Sequence, residues 1–189
     1  MVYNRTITLD MYWMVNDMPK FIQDNEQVAD GVNLLISILI RYPEITTISF
    51  DPETHTLKQT FMLSGIPLEE EFLKARKMLL DSIAVYHCIE GITDKNVDIH
   101  LSTYENVAML HIIRDIRTLT KGEIALTISL LKEQFRASLI VDAGETMLDE
   151  ELFLQEELID NMLNNATRSC SGRRLVGIRE DGRVIVFNK

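Results

Sequence analysis

Residues 97–114 read VDIHLSTYENVAMLHIIR, and this stretch predicts the centre of the fold. Two apolar runs with β-branched residues, 97–102 and 107–114, flank the polar segment 103–106. Two such runs around a short polar segment are typical of a β-hairpin. Helical patterns lie on both sides of it in the chain, so we expect a sheet to be built around this hairpin.

Hydrophobic periodicity predicts the other elements outward from the hairpin. Apolar residues at three- and four-residue spacing indicate helices, and alternating apolar residues indicate strands. The helices are expected over residues 24–42, 68–90, 121–136 and 148–164. The strands are expected over residues 4–12, 45–51, 56–63 and 138–141, with a final hairpin around Asp181 and Gly182.

Local signals mark several helix ends and one packing contact. Thr120, with Glu123 three residues later, predicts a capping box at the start of the third helix. Gly91 is expected just past the end of the second helix. Gly31 inside the first helix costs up to about 1 kcal/mol relative to alanine, so we expect a close packing contact at that position.

The last hairpin has the best-determined register, because Asp-Gly is a preferred two-residue hairpin turn. The turn predicts three cross-strand pairs on one face, which are Glu180 with Arg183, Ile178 with Ile185, and Val176 with Phe187. The other face of this hairpin carries Leu175, Val184 and Val186. We expect a helix, a second sheet or a partner chain to cover that face.

The order of the predicted elements is β, α, ββ, α, ββ, α, β, α, ββ, so a helix followed by a hairpin occurs three times. Hairpins that share a sheet make it largely antiparallel, with helices packed on one face, and the expected fold class is α+β. Residues 4–102 have the βαββαβ order of a ferredoxin-like unit. Glycines and prolines are few and scattered, so a single domain over residues 1–189 is favoured over two halves, 1–102 and 103–189.

The composition is that of an acidic globular protein. The 189 residues are 46% hydrophobic and 25% charged, and the formal net charge is −10. Such a surface repels phosphate groups, which argues against nucleic acid and anionic membranes as partners.

The same composition indicates a compartment. The two cysteines do not make a disulfide framework, and the N-terminal residues follow a strand pattern rather than that of a signal peptide. The apolar runs are shorter than the roughly 20 residues that span a bilayer. A reducing, cytoplasmic setting is therefore expected.

The histidines of the central hairpin suggest a metal site. If residues 103–106 form the loop, His100 lies opposite Met109 and His111 lies opposite Asp98. His100 and His111 are then diagonal neighbours on one face, roughly 7 to 8 Å apart between Cα atoms. With Asp98 they make a two-histidine, one-carboxylate group, a set that can bind iron or zinc. The alternative is that these side chains simply face solvent.

A basic segment between the fourth helix and the last hairpin is the second candidate site. Arg168, Arg173 and Arg174 lie there with two serines and a glycine, and such a set can hold a phosphate or a carboxylate. The same arginines would favour the reactive thiolate of Cys170. The alternative is that arginines follow a helix C-terminus because the helix dipole favours positive charge there.

No linear motif in the chain names a reaction. The phosphate-binding glycine loop, Cys-x-x-Cys, Gly-x-Ser-x-Gly and His-Glu-x-x-His are absent from the sequence. We therefore expect a non-catalytic intracellular interaction module, without a cofactor, that associates with itself or with a protein partner. The alternative is an enzyme or sensor for a small anionic ligand that uses the basic segment 168–174.

Overall fold

The computed structural model describes residues 7–8, 26–93, 96–142, 149–166 and 174–188. Within these ranges the helices are α1 (Glu26–Arg41), α2 (Glu69–Glu90), α3 (Lys121–Phe135) and α4 (Asp149–Ala166). The strands are β1 (Ile7–Thr8), β2 (Thr47–Asp51), β3 (Thr56–Ser64), β4 (Val97–Tyr104), β5 (Val107–Asp115), β6 (Leu175–Glu180) and β7 (Arg183–Asn188). These elements lie close to the bounds that periodicity predicts, except that only residues 7–8 of the strand predicted over 4–12 belong to the described residues.

One antiparallel sheet runs through the described residues in the order β1-β7-β6-β2-β3-β5-β4. The two-residue β1 forms one edge and β4 forms the other. The hairpin over residues 97–114, around which the sheet is predicted to be built, therefore lies at an edge of the sheet and not at its centre. The helices pack against this sheet, which confirms the α+β class. The first six elements keep the βαββαβ order along the chain, but β7 and β6 separate β1 from β2, so these elements do not form a ferredoxin-like sheet of their own.

Helix α1 covers the face of the last hairpin for which the sequence predicts a helix, a second sheet or a partner chain as cover. Leu175, Val184 and Val186 are 2%, 6% and 4% exposed. The approach is close, because a β-carbon added at Gly31 would lie 2.9 Å from a methyl group of Leu175. Of the three covers expected, a helix is therefore the one present, and Gly31 has the close packing contact that its position predicts.

Helices α2 and α3 complete the helical layer over the other half of the sheet. The core between the two layers includes Leu57, Phe61, Leu110 and Ile112 from the strands and Leu79, Ile83, Ile124 and Ile128 from the helices, all buried. Helix α4 lies against α1, where Glu156 accepts a 2.6 Å hydrogen bond from Arg41.

The predicted register of the central hairpin is wrong by two residues. The turn consists of Glu105 and Asn106, so Tyr104 pairs with Val107, and His100 pairs directly with His111 instead of with Met109. Glu105 has a φ of 52°, the left-handed conformation that a tight two-residue turn needs. Because the shift is two residues, every side chain keeps its predicted face.

The segment 138–141 is the predicted strand that does not form. Leu139 forms one isolated bridge with Leu63, and the pairing does not extend into a ladder. On one side of β3, strand β2 already pairs with residues 56–60. On that side, only the part of β3 beyond residue 60 is open to another partner. Gly91, by contrast, has a φ of 69° and ends α2 as predicted.

Candidate functional site

The face of the sheet opposite the described helices is a candidate surface, and we call it the open face. Its strand positions alternate with the buried ones, and no described helix covers it. Phe187 is 39% exposed and Tyr104 is 68% exposed. The other apolar side chains of this face are half-buried, and they are Met62, Val107, Met109, Ile113, Val176, Ile178 and Ile185. Large contiguous apolar patches on a protein surface can mark interaction sites.

Cross-strand pairing groups the apolar residues of the open face into two patches. In the first, Ile178 lies opposite Ile185, and Val176 lies opposite Phe187, as the turn chemistry predicts. The second lies on β3 and β5 and includes the Met62–Met109 pair. Polar residues of β2 and β3, among them Thr47 and Thr60, lie between the two patches.

Charges on the open face balance, although the whole chain has a net charge of −10. Glu180 pairs with Arg183 across the last hairpin. Asp51 forms an ion pair with Arg174, and Asp115 forms one with Arg117. The remaining strand charges are Lys58 and Asp98. The open face is therefore close to neutral on an acidic protein.

The histidine pair lies on this face at the β4 edge. The ring centroids of His100 and His111 are 4.9 Å apart. His111 shares hydrogen bonds with Ser102 through Nε2 (2.8 Å) and with Thr60 through Nδ1 (3.1 Å). Asp98 lies 3.4 Å from Nδ1 of His100. The structure thus brings together the three predicted residues and two hydroxyl groups that the sequence analysis did not single out.

Burial lowers the pKa of His111 below its ordinary value, and the nearby charges of Lys58 and His100 lower it further. The ring is therefore neutral at pH 7, with one nitrogen carrying a lone pair. Among the described residues, no group of three or more histidine, cysteine and acidic side chains is arranged to hold a metal ion.

Of the predicted basic site, only Arg174 belongs to the described residues. Its guanidinium pairs with Asp51. Desolvation opposes ionisation of Asp51, but the hydrogen bonds from Arg174 and from the backbone N–H of Glu53 prevail and lower the pKa of this carboxyl. Arg168, Cys170 and Arg173 lie outside the described residues, so the anion site stays a prediction.

A buried charge cluster joins β5, α2 and α3. Arg114 donates to both carboxylate oxygens of Glu123, at 2.5 Å and 3.1 Å, and Nε2 of His87 lies 2.8 Å from the same carboxylate. All three side chains are about 1% exposed.

The capping box predicted at the start of α3 is only half right. Thr120 accepts the backbone N–H of Glu123, but the Glu123 carboxylate turns inward to Arg114.

The sequence does contain a signal for this cluster. Arg114 continues the alternation of Ala108, Leu110 and Ile112, and His87 follows Ile83 at helical spacing. A charged residue in phase with a buried stripe implies a buried partner, because an unpaired buried charge is too costly.

Arg179 is a second buried cation that the sequence analysis missed. It is 8% exposed and lies on the helix-covered face of β6. Its guanidinium donates to the carbonyl groups of Leu39 and Ile40 in the last turn of α1. Burial lowers the pKa of Arg179, yet the group stays charged at neutral pH. Arg179 therefore satisfies carbonyls that have no partner within the helix.

No family model, curated protein or solved structure matches this chain. None of the helices in the described ranges is long and apolar enough to cross a membrane.

Proposed function

We propose that this protein is a non-catalytic interaction module whose open face binds a second copy of the same chain. The observation that carries this proposal is the row of half-buried apolar side chains on a sheet face that no described helix covers. Soluble proteins rarely leave such a face in water unless a partner covers it.

The size of the open face suits a dimer interface. Neighbouring strands lie about 4.8 Å apart and rise about 3.4 Å per residue. The six strands other than β1 have five to nine residues each, so together they form a face of roughly 29 by 17 to 30 Å. That area, roughly 500 to 900 Å², is close to the roughly 800 Å² that each partner buries in a standard interface. Each half-exposed aliphatic side chain gains roughly 1 kcal/mol on complete burial.

A second copy is the partner that the charges favour. Two acidic chains repel each other, and the repulsion is smallest where each presents a neutral surface. A two-fold axis near the polar centre of the open face would place the Ile178–Ile185 patch of one copy over the Met62–Met109 patch of the other. Such an arrangement is self-complementary, and aligned sheet-on-sheet packing at about 10 Å is a common architecture.

The test is the mass of the protein in solution, measured by light scattering across micromolar concentrations. We expect the parent chain to be a dimer and Ile178→Lys to be a monomer, because the substitution places a charge in the middle of the interface. The matched control is Val85→Lys on α2, where the parent side chain is 60% exposed on the opposite layer, and it should remain a dimer. A strictly monomeric parent chain contradicts the proposal.

We place the module in a reducing, cytoplasmic compartment. Cys88 carries a free thiol and is exposed on α2, which suits an environment that keeps thiols reduced. The acidic net charge supports a protein partner over nucleic acid.

A further inference from the structure

The cross-strand histidine pair has the spacing of two imidazole rings on one metal ion. Metal–nitrogen distances of about 2.0–2.1 Å and nitrogen–metal–nitrogen angles of about 90° to 110° place the two ring centroids about 4.5 to 5.2 Å apart. The centroids of His100 and His111 are 4.9 Å apart, and the two rings are tilted by 39°. The spacing of the two rings is therefore within the range that one ion requires.

Each ring has an oxygen neighbour at Nδ1, although Nε2 of His111 also contacts the Ser102 hydroxyl. Nδ1 of His100 faces Asp98, and Nδ1 of His111 faces the Thr60 hydroxyl. Where the oxygen at Nδ1 accepts the ring N–H, the proton stays on Nδ1 and the other nitrogen is presented as the ligand, which is the usual surrounding of metal-bound histidine. Nε2 of each ring is then the candidate ligand atom.

We propose that His100 and His111 chelate one divalent late transition-metal ion, such as Zn²⁺, Ni²⁺ or Cu²⁺, through their Nε2 atoms. Asp98 and Thr60 act as positioning residues behind the rings. This site differs from the predicted three-ligand set, because Asp98 orients His100 and does not itself ligate the ion. Water or a further ligand completes the coordination.

Three local groups determine how tightly the ion binds. The Ser102 hydroxyl now occupies Nε2 of His111 and must rotate away, at the loss of one hydrogen bond. Lys58, which lowers the proton affinity of His111, also repels a cation, whereas Asp98 attracts one. Because the described residues offer only two ligands, we expect micromolar affinity and open coordination positions.

The test uses the untagged full chain with Cys88→Ser and Cys170→Ser, so that thiols do not bind the metal. Isothermal titration calorimetry with Zn²⁺ and with Cu²⁺ should give one ion per chain. His100→Ala and His111→Ala should each weaken binding at least tenfold. His55→Asn is the matched control, because it removes a histidine outside the pair and keeps a residue that tolerates the φ of 54° there, so binding should not change.

Two further variants separate chelation from a merely structural role. Asp98→Asn should weaken binding about tenfold, the scale seen when a residue behind a ligand is lost. Ser102→Ala frees Nε2 of His111, so it should bind the ion at least as tightly as the parent. With Cu²⁺ bound, electron paramagnetic resonance should show coupling to two imidazole nitrogens. The absence of saturable binding, or equal affinities in the parent, His100→Ala and His111→Ala chains, would overturn the proposal.

The proposals of a metal site and of a dimer can be tested independently of each other. The titration is repeated in Ile178→Lys, which changes a residue of the apolar patch on β6 and leaves both histidines in place. Retained binding there shows that chelation belongs to the single chain. Binding that is lost together with the dimer overturns the proposal of a site within one chain.

Discussion

Arg114 and Glu123 meet inside the protein, where their side chains are 1% and 2% exposed. A charge without its partner is costly in such a place, although the intact pair gains little over a well-packed apolar pair. His87 and the hydroxyl of Thr118 also contact this pair, so a single change would leave several polar groups unsatisfied. Removing one member of the cluster alone is therefore expected to destabilise the protein.

We predict that Glu123→Ala lowers the free energy of unfolding by about 3–5 kcal/mol, the usual cost of leaving a buried charge unpaired. Urea unfolding followed by circular dichroism measures this change. Glu133→Ala, at an exposed position of the same helix, should change stability by less than about 0.5 kcal/mol. Equal effects of the two substitutions would contradict the buried charge pair.

At the scale of elements, α1 depends on the sheet for its C-terminal end. The last four carbonyl groups of a helix have no hydrogen-bond partner within it. Arg179 of β6 donates hydrogen bonds to two of them, the carbonyl groups of Leu39 and Ile40. A cation at this end also interacts favourably with the helix dipole. The close contact between Gly31 and Leu175 fixes the same helix on the same strand near its start. Helix α1 and strand β6 are therefore tied at both ends.

We predict that Arg179→Met destabilises the protein by about 1.5–3 kcal/mol, because charge-assisted hydrogen bonds to buried carbonyl groups are lost. Hydrogen exchange should show the largest loss of protection in the last turn of α1. Lys77→Met on α2 is the control, because its surface ion pair with Asp81 is solvated and contributes little. A loss of stability without increased exchange in α1 would argue against the capping role.

At the scale of the whole molecule, the sheet interleaves strands from both halves of the chain. Strand β2 pairs with β6, where Thr47 lies opposite Ile178, and β3 pairs with β5 over nine residue pairs. The predicted halves 1–102 and 103–189 therefore share one sheet. The described helices cover one face of it, and the open face carries the histidine pair.

We predict that urea unfolds the chain in one cooperative transition, because neither half keeps its strand neighbours without the other. Far-ultraviolet circular dichroism and intrinsic fluorescence should give the same midpoint at a fixed protein concentration. Two separate transitions would instead support two domains. The comparison is made in Ile178→Lys as well, so that dissociation of a dimer is not mistaken for unfolding.

Periodicity and turn chemistry by themselves determined much of this protein. The four helices, the order of hairpins, the end of α2 at Gly91 and the register of the hairpin at Asp181 and Gly182 all follow from residues close together in the chain. These features are local, because a helix face or a two-residue turn is specified within a few residues. The same reasoning placed His100 and His111 on one face.

Only the tertiary structure decided the features that depend on residues far apart in the chain. It showed that α1 covers Leu175, that β2 lies beside β6 and that Arg114 pairs with Glu123. It also corrected the central hairpin, where Glu105 takes a left-handed conformation that its residue type does not suggest, and so placed the two histidine rings directly opposite each other. Long-range pairing is chosen by the burial and charge balance of the whole molecule, and no short stretch of sequence contains that information.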